Sequence, residues 1–133
     1  MNPMLLTTEE LAVGHGRRSL LQGLALSVPM GELVAVLGVN GIGKSTLLRT
    51  LAGLHAPLAG KVFINDGDLH AMTAMERARL VSVVLSGRPS IGLLDVRTLV
   101  GLGRQPWTGT FGGLSEADER IVSSAMERVG VSD

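Results

Sequence analysis

The chain contains no cysteine, which excludes disulfide staples, thiolate metal sites and thiol catalysis. Aromatic residues are nearly absent too. Phe63, Trp107 and Phe111 are the whole set, and this argues against the stacking platforms of single-strand nucleic-acid binders. Neither sign of charge is in excess: twelve basic residues face twelve acidic ones, so no net field draws the chain to nucleic acid or anionic lipid. No apolar run approaches the ~18 residues that a spanning helix needs. Glu9 and Glu10 follow the first short apolar stretch, unlike a secretory leader. Together these absences predict a cytoplasmic protein with no nucleic-acid partner.

What is present fits one globular domain. A chain of 133 residues can bury a real core but is too short for two ordinary domains. Hydrophobic residues make up 45% and charged residues 18%, a globular and not a disordered balance. The mean hydropathy of +0.34 reflects either a Leu/Val-rich core or apolar surface that a partner covers.

Punctuation along the chain suggests its elements. Leu5–Val13, Leu24–Val28 and Glu32–Leu37 read as strands, with Pro29-Met30-Gly31 as a turn. ELVAVL at 32–37 is continuously apolar after its Glu, as in a strand buried on both faces of a parallel sheet. A Gly-rich loop follows, then a helix over Lys44–Ala52 with Leu47, Leu48 and Leu51 on one face and Gly53 as its stop. Gly60–Ile64 predicts a strand closed by a hairpin turn at Asn65-Asp66-Gly67. Thr73–Leu80 predicts a short helix leading into VSVVL at 81–85, a second apolar strand. Asp95–Arg104 and Ser115–Val129 carry helical patterns. Ser115 is the N-cap of the second, and Ile121, Val122, Ala125, Met126 and Val129 form its apolar stripe.

One motif carries chemistry. Gly38-Val39-Asn40-Gly41-Ile42-Gly43-Lys44-Ser45 fits G-x-x-x-x-G-K-[ST] at every fixed position. A triphosphate needs several backbone N–H groups converging on its oxygens, and glycines permit the tight loop that aims them. The helix that follows adds its unpaired first-turn amides and the positive end of its dipole. Lys44 would neutralise β- and γ-phosphate charge, Ser45 would ligate Mg²⁺, and Thr46 would offer a further donor. Lys44 and Lys61 are the chain's only lysines, against ten arginines.

The 37 residues before this loop look like β-ribbon, and in that layout the chain resembles the ABC-transporter ATPases. The resemblance is closest over residues 11–54 and continues through 53–69. VRTLVGLGRQPWTGTFGGLSEADERIV, residues 96–122, is similar to the import ATPases for iron–siderophore, haem or cobalamin. The resemblance implies an α/β P-loop NTPase fold of the ABC ATPase type. That means an antiparallel β-subdomain and a partial mixed core sheet with the Walker A helix over residues 1–94, then the start of a helical subdomain over 95–133. It implies ATP and Mg²⁺ as ligands. It also implies transmembrane permease subunits and a second ATPase subunit as partners, indirectly a substrate-binding protein, and a place on the inner face of the cell membrane.

Three departures from the family pattern qualify this. Where the family places an aromatic residue to stack on adenine, this chain has His15, either a smaller stacking surface or a plain turn residue. Where the family has a glutamine reaching the Mg²⁺ region, this chain has Ser86, shorter by two heavy atoms. The LSGGQ signature, the Walker B strand and the switch histidine have no counterpart here. Gly112-Gly113-Leu114-Ser115-Glu116 has similar letters in another order and is not read as a signature. The expectation is therefore half of an ATPase domain, inactive in hydrolysis by itself. The alternative is a truncated, non-hydrolytic nucleotide-binding or interaction fragment. A P-loop kinase or GTPase fits the long N-terminal ribbon poorly.

Overall fold

The computed structural model describes residues 3–87, 92–109 and 112–131, which group into two compact units, Met1–Val83 and Val84–Asp133. The first unit is built on an antiparallel sheet. Strand β1 (Met4–His15) lies at its centre, flanked by β2 (Arg18–Leu24), β3 (Ser27–Pro29) and β4 (Ala59–Ile64), with the short β5 (Gly67–Asp68) beyond β4. β1 serves three neighbours because its two ends are used differently. Its start pairs with β3 through Leu6↔Val28, its end pairs with β2 through Val13↔Leu21, and its middle pairs with β4 through Thr8↔Val62. The register slips between Glu9 and Ala12, where Glu10 takes a positive φ of 43°, and this bulge redirects the strand.

Alternation along β1 and β4 puts Leu11, Val13, Val62 and Ile64 on one face. These residues, with Leu69 and Leu47 of helix α1 (Lys44–Leu51), form the buried core. Thr8 is buried among them, and its hydroxyl donates to Leu24 O and accepts from Leu26 N, both at 2.9 Å, which ties the β2–β3 corner to β1. Asn65 and Asp66 both adopt positive φ, 47° and 63°, the geometry of a two-residue hairpin between Ile64 and Gly67. The expected hairpin turn is there.

β2 was not anticipated. The sequence predicts a strand over Leu24–Val28, whereas that stretch is the corner where β2 hands over to β3. A tight turn at Gly16-Arg17, closed by the pair His15↔Arg18, sends the chain straight back along β1. In α1 the buried face is Thr46, Leu47 and Thr50, and Leu48 is half-exposed. The three leucines therefore do not share one buried face. Thr73 begins helix α2 (Ala74–Leu80) with a capping box: Glu76 N donates to Thr73 Oγ1 (3.3 Å), and Thr73 N donates to Glu76 Oε2 (2.7 Å).

The two expected core strands, Glu32–Leu37 and Val81–Leu85, run extended without a partner among the described residues. Val36 and Val81 pack against the core, while Leu33, Leu37 and Val84 are 97%, 88% and 99% exposed. A parallel strand needs neighbours to supply its slanted ladder of hydrogen bonds, and β1–β5 pair only among themselves. An open apolar groove of about 750 Å³ lies beside the first segment, lined by Leu5, Leu6, Val34, Leu51, Ile64 and Val81 among others.

In the second unit, helix α3 (Val96–Leu102) packs on helix α4 (Glu116–Arg128), with a single 3₁₀ turn at Gln105–Trp107. Asp95 caps α3 by accepting from Thr98 N at 2.8 Å. The buried strip of α4 is Asp118, Val122 and Met126. Ile121, Ala125 and Val129 are exposed, so the predicted stripe is narrower than its five residues. A seven-residue helix covers only one i, i+4 row of its neighbour.

Asp118 holds this unit's polar centre. Its carboxylate accepts from Ser115 Oγ (2.6 Å), Ser115 N (3.0 Å) and Arg104 Nε (2.8 Å), and Arg104 lies over the Trp107 ring, 4.4 Å from its centroid. The Ser115 hydroxyl and the Arg104 guanidinium hold the Asp118 carboxyl down at about 2, below the usual 3.8. A depressed carboxyl pKa stabilises the fold above the unfolded value, and the contribution disappears as pH falls from near 4 through about 2. Asp118→Asn is therefore expected to lower helix stability clearly at pH 7 and much less at pH 2. Thermal melts followed by circular dichroism at the two pH values check this, and an equal loss at both would contradict it.

Candidate functional site

The loop over residues 38–46 joins the extended segment 32–37 to α1. Gly41 (φ 83°) and Gly43 (φ 112°) take conformations that side chains resist. At Gly43 a Cβ would also press within 3.2 Å of Leu20. Gly43 is the N-cap of α1, and no side chain caps it. The first-turn amides of Lys44, Ser45 and Thr46 thus have no side-chain acceptor, and the positive end of the helix dipole opens on the loop. Lys44 curls back over the same loop, its Nζ donating to Gly38 O (2.6 Å) and Val39 O (2.9 Å). An ammonium group beside the uncapped amides of a helix start suits a polyanion.

Val39, Asn40, Ile42 and Ser45 of the loop and helix start are exposed, and Thr46 is buried. The buried Thr46 hydroxyl lies 3.1 Å from His15 Nε2. The exposed ring at the end of β1 is therefore joined to the first turn of α1. Of the residues singled out from sequence, Gly38 through Thr46 and His15 come together. Ser86 belongs to the other unit, where it is exposed. Among the described residues no three His, Asp or Glu side chains converge as a metal cage. A divalent cation here would rest on Ser45 and on the oxygens of the anion itself, the usual arrangement for Mg²⁺.

Two histidines that sequence reasoning did not single out also bear on α1. His55 Nε2 donates to Gly14 O at 2.7 Å, and its ring lies 4.9 Å from that of His15, tilted by 55°. His70 Nε2 donates to Thr50 O at 3.0 Å, near the end of α1. All three histidines of the chain thus surround one helix, although 40 and 15 residues separate them. No spacing rule would have gathered them.

The ABC transporter family model matches residues 21–133. The iron(3+)-hydroxamate import ATP-binding protein of Bacillus subtilis is 34% identical over 128 residues, 96% of this chain and 48% of that protein. The hemin import ATP-binding protein of Bordetella pertussis is 40% identical over 131 residues, 97% of this chain and 48% of that protein. The chain spans about half the length of the curated relatives it matches. Among solved structures, a nucleotide-free ATP-binding cassette from an ABC transporter aligns over 98% of this chain and 55% of its own, with a TM-score of 0.77 at 20% identity, a likeness of fold. An ATP-binding subunit of an ABC transporter aligns over 96% of this chain and 51% of its own, with a TM-score of 0.68 at 26% identity. No helix among the described residues is long and apolar enough to cross a membrane. With the phosphate-type loop, the cassette fold and the family match in agreement, the chain belongs to the ABC transporter family.

Proposed function

We propose that this chain is the nucleotide-binding portion of the ATP-binding subunit of an importer for an iron–siderophore, haem or cobalamin. The observation that carries the reading is the uncapped start of α1 at Gly43, with Lys44 folded over the loop before it. The amides of 40–46 receive the β- and γ-phosphates, and Lys44 leaves Gly38 O and Val39 O to neutralise them. Ser45, together with the phosphates, would hold Mg²⁺, which would supply charge withdrawal from the phosphoryl oxygens. His15 lies beside the loop, where the base of the nucleotide would rest. The names of the relatives, which import iron(3+)-hydroxamate, hemin and cobalamin, support the substrate class. Permease subunits at the inner membrane face and a second copy of the subunit complete the proposed assembly, and Ser86 occupies the position that would link nucleotide to permease.

Binding and turnover separate in this reading. Phosphoryl transfer needs a group that orients water and stabilises γ-phosphate charge, beyond a phosphate cradle. In the second half of the chain no acidic residue follows three or more consecutive Val, Ile or Leu residues. The pure chain is expected to bind Mg-ATP saturably in equilibrium dialysis and to release no phosphate that depends on Lys44. Absence of saturable binding would overturn the proposal. Lys44-dependent release at rates typical of an ATPase would overturn the separation.

A further inference from the structure

We infer that His55 is a positioning residue for the nucleotide base, acting through His15. The inference rests on the phosphate-loop reading above and extends it to the other end of the ligand. A nucleoside triphosphate whose phosphates lie along residues 40–46 must set its base down close by. The exposed aromatic ring joined to that loop is His15, whose Nε2 meets Thr46 Oγ1 at 3.1 Å. An imidazole offers less stacking area than a phenol or indole, so its value to a base depends on being held in one orientation.

His55 supplies that restraint from the opposite side of the peptide. It stands in the loop after α1, half-buried. Its Nε2–H donates to the carbonyl of Gly14, the residue immediately before His15, at 2.7 Å. Gly14 is itself buried, and a Cβ there would collide with Arg18 O, so the backbone at this point has no slack. The His55 ring then leans on the His15 ring, centroids 4.9 Å apart at 55°, within the range of favourable aromatic pairs. His15 is thus pinned at its tip by Thr46, along its ring by His55, and at its backbone by the His55–Gly14 bond. The bond to Gly14 also fixes the His55 proton on Nε2.

Comparing ATP with inorganic tripolyphosphate, which has the phosphates without the base, tests this. Affinities are measured by calorimetry on the unaltered chain, His15→Ala, His55→Ala and the double variant. Expected is an about two- to tenfold loss of ATP affinity for each single variant, the worth of one aromatic contact. Tripolyphosphate affinity should be unchanged in His55→Ala, and His55→Ala should add nothing to the loss of ATP affinity once His15 is gone. Unchanged ATP affinity in His55→Ala would overturn the inference, as would an additive loss in the double variant. An equal fall for both ligands would also overturn it, showing that His55 merely supports the fold. Failure of tripolyphosphate to bind the unaltered chain would instead overturn the phosphate-loop reading on which the inference stands.

Discussion

Replacing Lys44 with alanine is expected to lower Mg-ATP affinity by roughly 100-fold, because about 3 kcal/mol of charge-assisted hydrogen bonding to phosphate is lost. The gross interaction is larger. The ammonium donates to Gly38 O and Val39 O, so phosphate binding exchanges two neutral acceptors for two charged ones, and only the difference counts. Those carbonyl bonds are solvent-exposed, so their removal should change folding stability by no more than about 0.5 kcal/mol. Lys44→Arg should also bind poorly, since a planar fork cannot replace a compact point charge in a loop this tight. Equilibrium dialysis on variants with matched circular dichroism spectra measures the effect. Affinity unchanged in Lys44→Ala would remove the lysine, and with it the loop, from any phosphate role.

The glycine-rich loop, the hairpin at Asn65-Asp66 and the cap at Ser115 were legible in the sequence because their physics is local. A left-handed φ, a hydroxyl three residues before a carboxylate, or a glycine before a lysine settles the backbone there without help from distant residues. What depended on partners was not legible. ELVAVL has the composition of a central strand, but composition cannot supply neighbouring strands, and the segment runs extended with Leu33 and Leu37 in solvent. Periodicity predicts a five-residue stripe on α4, whereas its buried apolar row is Val122 and Met126. The site divides in the same way. Lys44, Ser45 and Thr46 are contiguous and could be named, while the His55–His15–Thr46 relay spans three separate segments and emerges only once β1 returns alongside α1.

The unpaired segments lead to the second large effect, in amide hydrogen exchange. No backbone hydrogen bond is donated from residues 33–37 or 82–85 to another segment among the described residues, whereas Leu11 and Val13 are fully buried in the middle of the sheet. Amides within β1 and β4 open only with the unit as a whole. At 5 kcal/mol or more of stability, that slows exchange by at least ~10³-fold. The amides of 33–37 and 82–85 should exchange at close to unfolded rates in dilute protein, with a sharp step at Val81, whose N–H donates to Arg77 O at 2.9 Å. The two segments also carry exposed Leu33, Leu37, Val84 and Leu85, an unpaired apolar edge of the kind that recruits another strand. Their protection should therefore rise with protein concentration even as that of β1 stays constant. Mass spectrometry of exchange across a concentration series measures both. Protection of 33–37 equal to that of Leu11–Val13 in dilute monomer would show that the segment is paired within the chain, and that ELVAVL is the core strand its composition suggests.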